Sequence, residues 1–452
     1  MMTRLAYNIG LLAGLILALP WLLVKALRVP GYAGWVLHRL GWADASLSST
    51  VFPNSAASPN PTTSPRIWLH ALSVGETASV RPLLRALRAH YPQAALMLSS
   101  STRAGATLAA ATCANLVDCR LVMPYDLPGA ATRIIRRLRP DLFILVETDF
   151  WPNLLGALAA AKVPMLLING RMSPTSWNHY RILRFWARPL LFAPFTFLAM
   201  QTKAEVDRMV ALGLTPARVG VIGNLKYTAA AAIGHRPKLA RSELGIGAHK
   251  LLWVAGSTHA GEEEIILRAF RRLVVQWPDL FLVLAPRRVE RAAMVLALAK
   301  QYGYRVALRR EPKGAAAKGA TEAEVVVLNS YGELVDLYSL GTMVFIGGSL
   351  VPAGGHNPLE AAVWEKPVLF GPHMEDFAEI SEDLLAVNGA LQVQNEDELV
   401  AGLQRWLADP NHRAACGRRG GELVRTRDQG VLAAHLALIE RLQTTKINNV
   451  KR

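Results

Sequence analysis

Cysteine is scarce. Cys113, Cys119 and Cys416 are the only three in 452 residues, and none stands in a C-x-x-C or zinc-like spacing. That count disfavours a disulfide framework and a structural metal, and a reduced, cytoplasmic setting fits the folded part. Two glycine signatures are missing as well. Neither G-x-G-x-x-G nor G-x-x-x-x-G-K-[ST] occurs, which removes the main sequence support for dinucleotide-binding and P-loop readings. No D-x-D-like pair stands where a metal-bridged nucleotide would require one. Acid is short on one side only. Residues 1–228 carry 23 Lys+Arg against 9 Asp+Glu, a balance of +14, whereas the remainder carries 27 against 25, a balance of +2. A one-sided basic surface implies an anionic partner: nucleic acid, an acidic membrane face or a phosphorylated ligand.

What is present begins with a long apolar run. Residues 5–24, "LAYNIGLLAGLILALPWLLV", are long enough to cross a hydrocarbon core of about 30 Å. Arg4 stands alone before the run, while Lys25, Arg28 and Arg39 follow it. The bias predicts a retained anchor with its C-terminal side in the cytoplasm. Asn8, Pro20 and two glycines weaken a simple spanning helix, so a span and an oblique insertion both stay open. Residues 54–65, rich in Pro, Ser, Thr and Asn, read as a flexible tether. From Arg66 onward short apolar runs alternate with helical patterns, with strands expected at 67–72, 95–99, 121–123, 142–146, 165–168, 197–199, 219–222, 251–255, 281–285, 325–328, 342–346 and 367–370, which predicts α/β architecture with parallel sheets covered by helices. The alternation breaks near 226–247 and then restarts. The expected organisation is therefore an anchor (1–30), a juxtamembrane segment and linker (31–65), a first doubly wound domain (66–228), an interdomain linker (229–247) and a second doubly wound domain with closing helices (248–452). The segment 310–324 reads as a surface loop.

Several stretches carry chemistry. "VAGSTHAGEEE" places Ser257 and Thr258 after a strand, where backbone N–H groups and hydroxyls can hold a phosphate; an ordinary helix cap explains them equally well. "LAPRRVER" puts Pro286, Arg287 and Arg288 at another strand end, suited to an anion or to a solvated turn. "FIGGSLVPAGGHNPLEAA" is the most specific stretch. Gly347 and Gly348 allow a ligand close to the backbone, and Gly354, Gly355 and a helix start suggest an anion-facing corner. Asn357 reads as a ligand contact or a cap, and Glu360 as a ribose contact or a dipole partner. "LVETDFWPN" brings Glu147 and Asp149 to a strand end, where carboxylates can orient a hydroxyl or move its proton. Arg171 and Lys226 follow in "INGRMS" and "GNLKY". The opening "RIWLHALSVGETASVRPLL" ends a strand near Glu76. Ser79 and Pro82 offer the next helix a start, which would leave Gly75-Glu76 in a loop with the local dipole keeping the carboxylate charged.

Together these stretches resemble bacterial 3-deoxy-D-manno-octulosonic acid (Kdo) transferases. "WLHALSVGET", "PYDLP", "ETDFWPN", "GSTHAGEE", "PRRVER", "GGSLVPAGGHNPLEAA" and "FGPHMEDF" occur in the family's order over about residues 66–430. The resemblance implies a GT-B fold, two Rossmann-like domains facing a cleft, with an N-terminal membrane anchor. It implies inverting, metal-independent transfer of Kdo from CMP-Kdo to the lipid A precursor at the cytoplasmic face of the inner membrane. Glu76 matches the family's catalytic base. Arg287, Asn357 and Glu360 match positions associated with CMP recognition, and Glu147 matches an acidic cleft position. Asp149 replaces a usual glutamate, Arg288 a usual histidine, and Tyr227-Thr228 a usual Phe-Asp. No cofactor, no metal and no nucleic acid are expected; CMP-Kdo, the lipid A precursor and an anionic membrane surface are. A nucleotide-sugar epimerase of the same architecture and a membrane-tethered binder of anionic lipid or nucleic acid are the competing readings. The first would want the missing glycine turn; the second leaves the strand-end carboxylates without purpose.

Overall fold

A computed structural model of the chain describes residues 2–29, 31–39, 64–233, 239–247, 249–309 and 323–450. All but the last two residues of the expected tether at 54–65, and of the expected loop at 310–324, lie outside the described residues.

The chain forms two compact units, 1–229 with 430–452 and 230–429. This corrects the expected reach of the second domain to residue 452. The closing helix Val431–Val450 belongs to the first unit because Val431, Leu438, Ile439 and Leu442 bury with Leu83, Leu84 and Leu87 in one apolar core.

In the first unit, strands β1 (Arg66–His70), β2 (Ala95–Ser100), β3 (Cys119–Val122), β4 (Leu142–Val146), β5 (Met165–Gly170), β6 (Phe197–Met200) and β7 (Val219–Val221) form a sheet in the order β3-β2-β1-β4-β5-β6-β7. Every pairing is parallel. Successive side chains of a strand point to opposite faces, and the two faces carry separate cores. Trp68, Phe143, Leu145 and Leu167 fill one, while Ile67, Leu69, Ile144 and Ile168 fill the other. Burial on both faces is why these strands read as continuous apolar runs.

The second unit repeats the plan. Strands β8 (Leu251–Thr258), β9 (Leu280–Pro286), β10 (Val306–Arg309), β11 (Val325–Leu328), β12 (Met343–Ile346), β13 (Val368–Phe370) and β14 (Ala390–Gln392) run in the order β10-β11-β9-β8-β12-β13-β14, again parallel throughout. In the first sheet the strand order reverses between β1 and β4, and in the second it reverses between β8 and β12, with β10 and β11 exchanged at the far edge. Ligands of open α/β sheets bind outside the carboxyl ends of the strands at such reversals. Glu76 and Glu147 follow β1 and β4; Ser257 and Gly347 stand at the ends of β8 and β12. Each sheet thus brings part of its sequence-flagged set to its own reversal, while Arg171, Lys226 and Arg287 follow the neighbouring strands β5, β7 and β9.

Before the first sheet, a helix covers Met2–Arg28. Its segment Arg4–Arg28 is long and apolar enough to cross a membrane, with no buried residue in its most apolar window.

Candidate active site

The β1 end differs from the expected loop. Ser73 caps a helix that starts at once, Val74–His90, by accepting the Glu76 N–H at 3.3 Å. The Glu76 carboxylate turns back to accept the Leu72 N–H at 2.6 Å and the Ser73 hydroxyl at 3.3 Å. The S-x-x-E spacing of a capping box, Ser73 to Glu76, outcompetes the later start at Ser79 or Pro82. Ser79 spends its hydroxyl on the Glu76 carbonyl instead, at 2.8 Å. Glu76 is therefore a first-turn residue, and it is buried, 7% exposed.

Its charge state is also corrected. Burial pushes the Glu76 carboxyl up to about 8, and the neighbouring charges of Glu147 and Asp149 push the same way. The Leu72 N–H and the Ser73 hydroxyl oppose them without prevailing. Desolvation and like charge outweigh the dipole.

Glu147 adopts a left-handed backbone, φ 60°, and so does Asn169 at the end of adjacent β5, φ 54°. Two non-glycine residues in this sparsely populated region at neighbouring strand ends mark a site held in place by its surroundings. Asn169 Nδ2 donates to Glu147 Oε1 at 3.2 Å, and Asn169 Oδ1 accepts the Leu225 N–H at 2.9 Å. That second bond fixes the helix Leu225–Ala231, which brings Lys226 Nζ to 3.4 Å from Glu147 Oε1. Arg171 Nε lies 3.7 Å from Glu147 Oε2. Glu147, Arg171 and Lys226, flagged separately in the sequence, form one charged group.

Asp149 leads to residues that sequence reasoning did not assign. Its Oδ2 meets His70 Nε2 at 2.9 Å and accepts the Ser101 hydroxyl at 3.2 Å. His70 is fully buried, and its Nδ1 lies 2.8 Å from Ser99 Oγ, which also receives the Trp68 indole N–H at 2.8 Å. The Ser99 hydroxyl hydrogen has two acceptors in reach, His70 Nδ1 and the Leu69 carbonyl at 3.3 Å, and the Asp149 carboxylate, an acceptor only, calls for the ring's N–H on Nε2. Burial raises the Asp149 carboxyl, but His70 and Ser101 more than reverse it and hold it below the usual range. The signal was present: a histidine closes the otherwise apolar "RIWLH", and three serines run from 99 to 101.

The second unit corrects the glycine-rich corner. Glu262, fully buried, accepts the N–H groups of Gly348, Ser349 and Leu350 at 2.7, 2.9 and 2.9 Å, and that of His259 at 2.8 Å. The Gly347 N–H goes to the Gly256 carbonyl at 2.8 Å. The chain's own carboxylate thus occupies the backbone nest expected to take a ligand. A Cβ at Gly347 would collide with the Ser257 carbonyl, and one at Gly355 with Met374. Gly354 and Gly355 have φ of 85° and 75°, so the chain path itself demands glycine there. The helix after them, Leu359–Ala362, is one turn long and presents no substantial macrodipole. Asn357, just before it, accepts the Leu359 N–H on Oδ1 at 3.2 Å. Thr258 is committed too, donating to Glu263 at 3.1 Å; Glu263 in turn holds Arg291 at 2.6 Å.

What remains for a ligand is a smaller group. Glu360 is half-buried, and burial pushes its carboxyl up to about 7 against the opposing Arg287 charge and an Asn357 hydrogen bond. Arg287 is exposed, and its backbone N–H ties the end of β9 to the Thr258 carbonyl at 3.0 Å, just after Pro286. His259 and His356 face each other through Nε2 atoms 3.0 Å apart. Burial, Arg287 and His259 bring His356 down to about 4, which keeps it neutral. Ser257 takes the left-handed backbone, φ 56°, and hydrogen-bonds the buried Tyr338 hydroxyl. Among the described residues, no three His, Cys, Asp or Glu side chains gather as a metal-binding group.

Two doubly wound units define the class of the GT-B proteins. Solved structures agree on the fold: HepE of Anabaena in complex with UDP is 14% identical, covering 84% of this chain and 99% of that one, with a TM-score of 0.55. The UDP-GlcNAc 2-epimerase of Neisseria meningitidis bound to UDP-GlcNAc is 12% identical over 83% of this chain and 99% of its own, with a TM-score of 0.58. The particular family comes from the sequence comparisons. Residues 38–229 match the family described as 3-deoxy-D-manno-octulosonic-acid transferase (kdotransferase). The 3-deoxy-D-manno-octulosonic acid transferase of Haemophilus influenzae is 31% identical over 379 residues, 83% of this chain and 86% of its own length. That of Aquifex aeolicus is 29% identical, covering 76% and 86%. The chain belongs to the Kdo transferase family and is a glycosyltransferase.

Proposed function

We propose that this enzyme transfers Kdo from CMP-Kdo to the lipid A precursor, lipid IVA, in lipopolysaccharide biosynthesis at the cytoplasmic face of the inner membrane. Transfer inverts the anomeric centre, needs no metal ion, and uses Glu76 as general base. The observation that carries this reading is the carboxylate group at the first sheet's reversal, with Glu76 pushed up to about 8.

The chemistry comes from the charges. Breaking the bond between Kdo and CMP develops positive charge on the sugar and negative charge on the leaving phosphate. Arg287 answers the phosphate, taking the part a cation plays elsewhere. Glu360, with Asn357 beside it, suits the ribose hydroxyls. The acceptor hydroxyl is a weak acid whose proton must leave as its bond to Kdo forms. A base works best when its pKa lies near the working pH, and at about 8 Glu76 is far more basic than an ordinary glutamate. The ionised fraction at neutral pH is small, roughly a tenth, so transfer rises with pH. Glu147 and Asp149 keep Glu76 basic through their charges. Arg171 and Lys226, at 3.7 and 3.4 Å from Glu147, are positioned to meet the anionic groups of the acceptor.

Incubating the purified enzyme with CMP-Kdo and lipid IVA and measuring product mass tests donor, acceptor and number of additions together. Glu76→Gln is expected to bind CMP-Kdo normally and to lose transfer. Near-normal turnover by that variant contradicts the assignment of the base.

A further inference from the structure

The helix Met2–Arg28 does not stand away from the first unit. The Tyr7 hydroxyl donates to Asp126 at 3.0 Å, and Asn8 Oδ1 accepts from Asn153 Nδ2 at 2.6 Å. A Cβ at Gly156 would collide with the Arg4 guanidinium, and the Arg4 charge acts on Asp126. Asp126 is buried, 3% exposed, and also accepts the Asn153 and Leu154 N–H groups that open the helix Pro152–Ala160. The start of the apolar helix is therefore locked to the globular fold by polar bonds. These are the Asp of "PYDLP" and the Asn of "FWPN", motif residues that the transfer chemistry leaves unused.

The other end returns to the same place. The chain turns at Gly31, φ 71°, into a second helix, Tyr32–Arg39. Arg39 Nε donates to the Met123 carbonyl at 3.0 Å, its guanidinium lies 4.1 Å over the Tyr125 ring, and its own carbonyl accepts the Tyr125 N–H at 2.6 Å. Residues 123–126 thus receive both the start of the apolar helix and the end of the short helix after it. Along the apolar helix, Tyr7, Asn8, Leu11, Leu15, Ala18 and Leu22 are half-buried at helical spacing. The remaining arc is apolar and exposed, Ile16 at 70%, Leu17 at 82% and Leu27 at 88%. A spanning helix would carry one of its ends across a hydrocarbon core of about 30 Å, stripping Asp126 and Asn153 of these partners.

We infer that the helix lies in the plane of one leaflet, pinned to the first unit at its start and, beyond its end, through the short helix that follows it, with its exposed arc sunk in anionic phospholipid. The first unit carries a second exposed apolar patch. Ile182, Leu183, Phe185 and Trp186 are 46–75% exposed and alternate with Arg181, Arg184 and Arg188, the composition of a membrane-interface contact. Its continuation, Arg188–Phe192, packs on the helix Pro152–Ala160, and Ala187 and Phe192 share one apolar core with Leu154, Leu155 and Leu158. One helix, starting three residues after Asp149, thus touches both segments, which links the inferred membrane face to the strand-end carboxylates.

The inference rests on the reading that the protein meets a membrane, and flotation of the full chain with phosphatidylglycerol-containing vesicles tests that reading first. Failure to float, in the wild type, overturns the membrane reading itself. Topology then tests the geometry. The three native cysteines are buried, so single Thr3→Cys and Ala33→Cys variants can be labelled with an impermeant thiol reagent. Both are expected to react in inverted inner-membrane vesicles and neither in intact spheroplasts. Labelling of Thr3→Cys only from the periplasmic side contradicts an in-plane helix. Paired Asn8→Cys and Asn153→Cys are expected to cross-link on oxidation in native membranes; no cross-link overturns the dock. Phe185→Ser with Trp186→Ser is expected to weaken vesicle binding several-fold, and unchanged binding removes the second contact.

Discussion

The two sheets are both parallel and seven-stranded, differ in the order of their edge strands, and use acid in opposite ways at the same kind of place, the central reversal. At the reversal of the second sheet, Glu262 and Glu263 are fully consumed. One fills a nest of backbone N–H groups, the other is bound by Arg291 and Thr258. At the reversal of the first sheet, Glu76, Glu147 and Asp149 crowd together, and Glu76 is pushed up to about 8. A buried carboxylate with four donors is an architectural part. A buried carboxylate beside two others is uneasy when charged, and that unease makes it a base.

The contrast can be broken from either side. The largest effect is expected from Glu262→Ala, which leaves four N–H groups of buried backbone unanswered. It should cost on the order of 4 kcal/mol or more and be visible as a lowered urea midpoint, with CMP binding lost alongside. Glu76→Gln should do the reverse. The pKa of Glu76 in the fold exceeds its unfolded value, so its contribution is favourable at acid pH and is lost as pH rises towards 8. The glutamine variant should therefore match the wild type near pH 4.5 and exceed its stability at pH 9, on the order of 3 kcal/mol, as read by thermal melts at both pH values. Arg287→Ala should raise the KM for CMP-Kdo about tenfold, roughly 1.4 kcal/mol of charge-assisted binding, with kcat less affected. The smallest change is the most specific. Glu147→Gln removes one of the negative charges that raise Glu76, so the acid limb of the activity profile should shift down by up to about one pH unit.

Much of this was legible in the chain. Buried parallel strands write themselves as apolar runs, so β4 and β11 were placed to the residue. The edge strands β10 and β14 were missed because they are short and half-covered, and "VALR" and "ALQ" carry no continuous run. Glu76 was found, but its helix start was misplaced, since the Ser73 cap was passed over for Ser79 and Pro82. The glycine corner misled for a different reason. Glycines report that the backbone is tightly approached, not by what, and the carboxylate that fills the nest stands 86 positions earlier in the chain. His70 and the partners of the apolar helix were hidden by the same distance: Asp149 is 79 positions from His70, and Asp126 is 119 from Tyr7.

The central claim is that crowding and burial make Glu76 the base. Its most direct measurement is kcat/KM for Kdo transfer between pH 6 and 9. A base raised in this way predicts a rise of about tenfold per pH unit that levels off near pH 8, with no such limb in the residual activity of Glu76→Gln. A profile already flat by pH 6 in the wild type contradicts it.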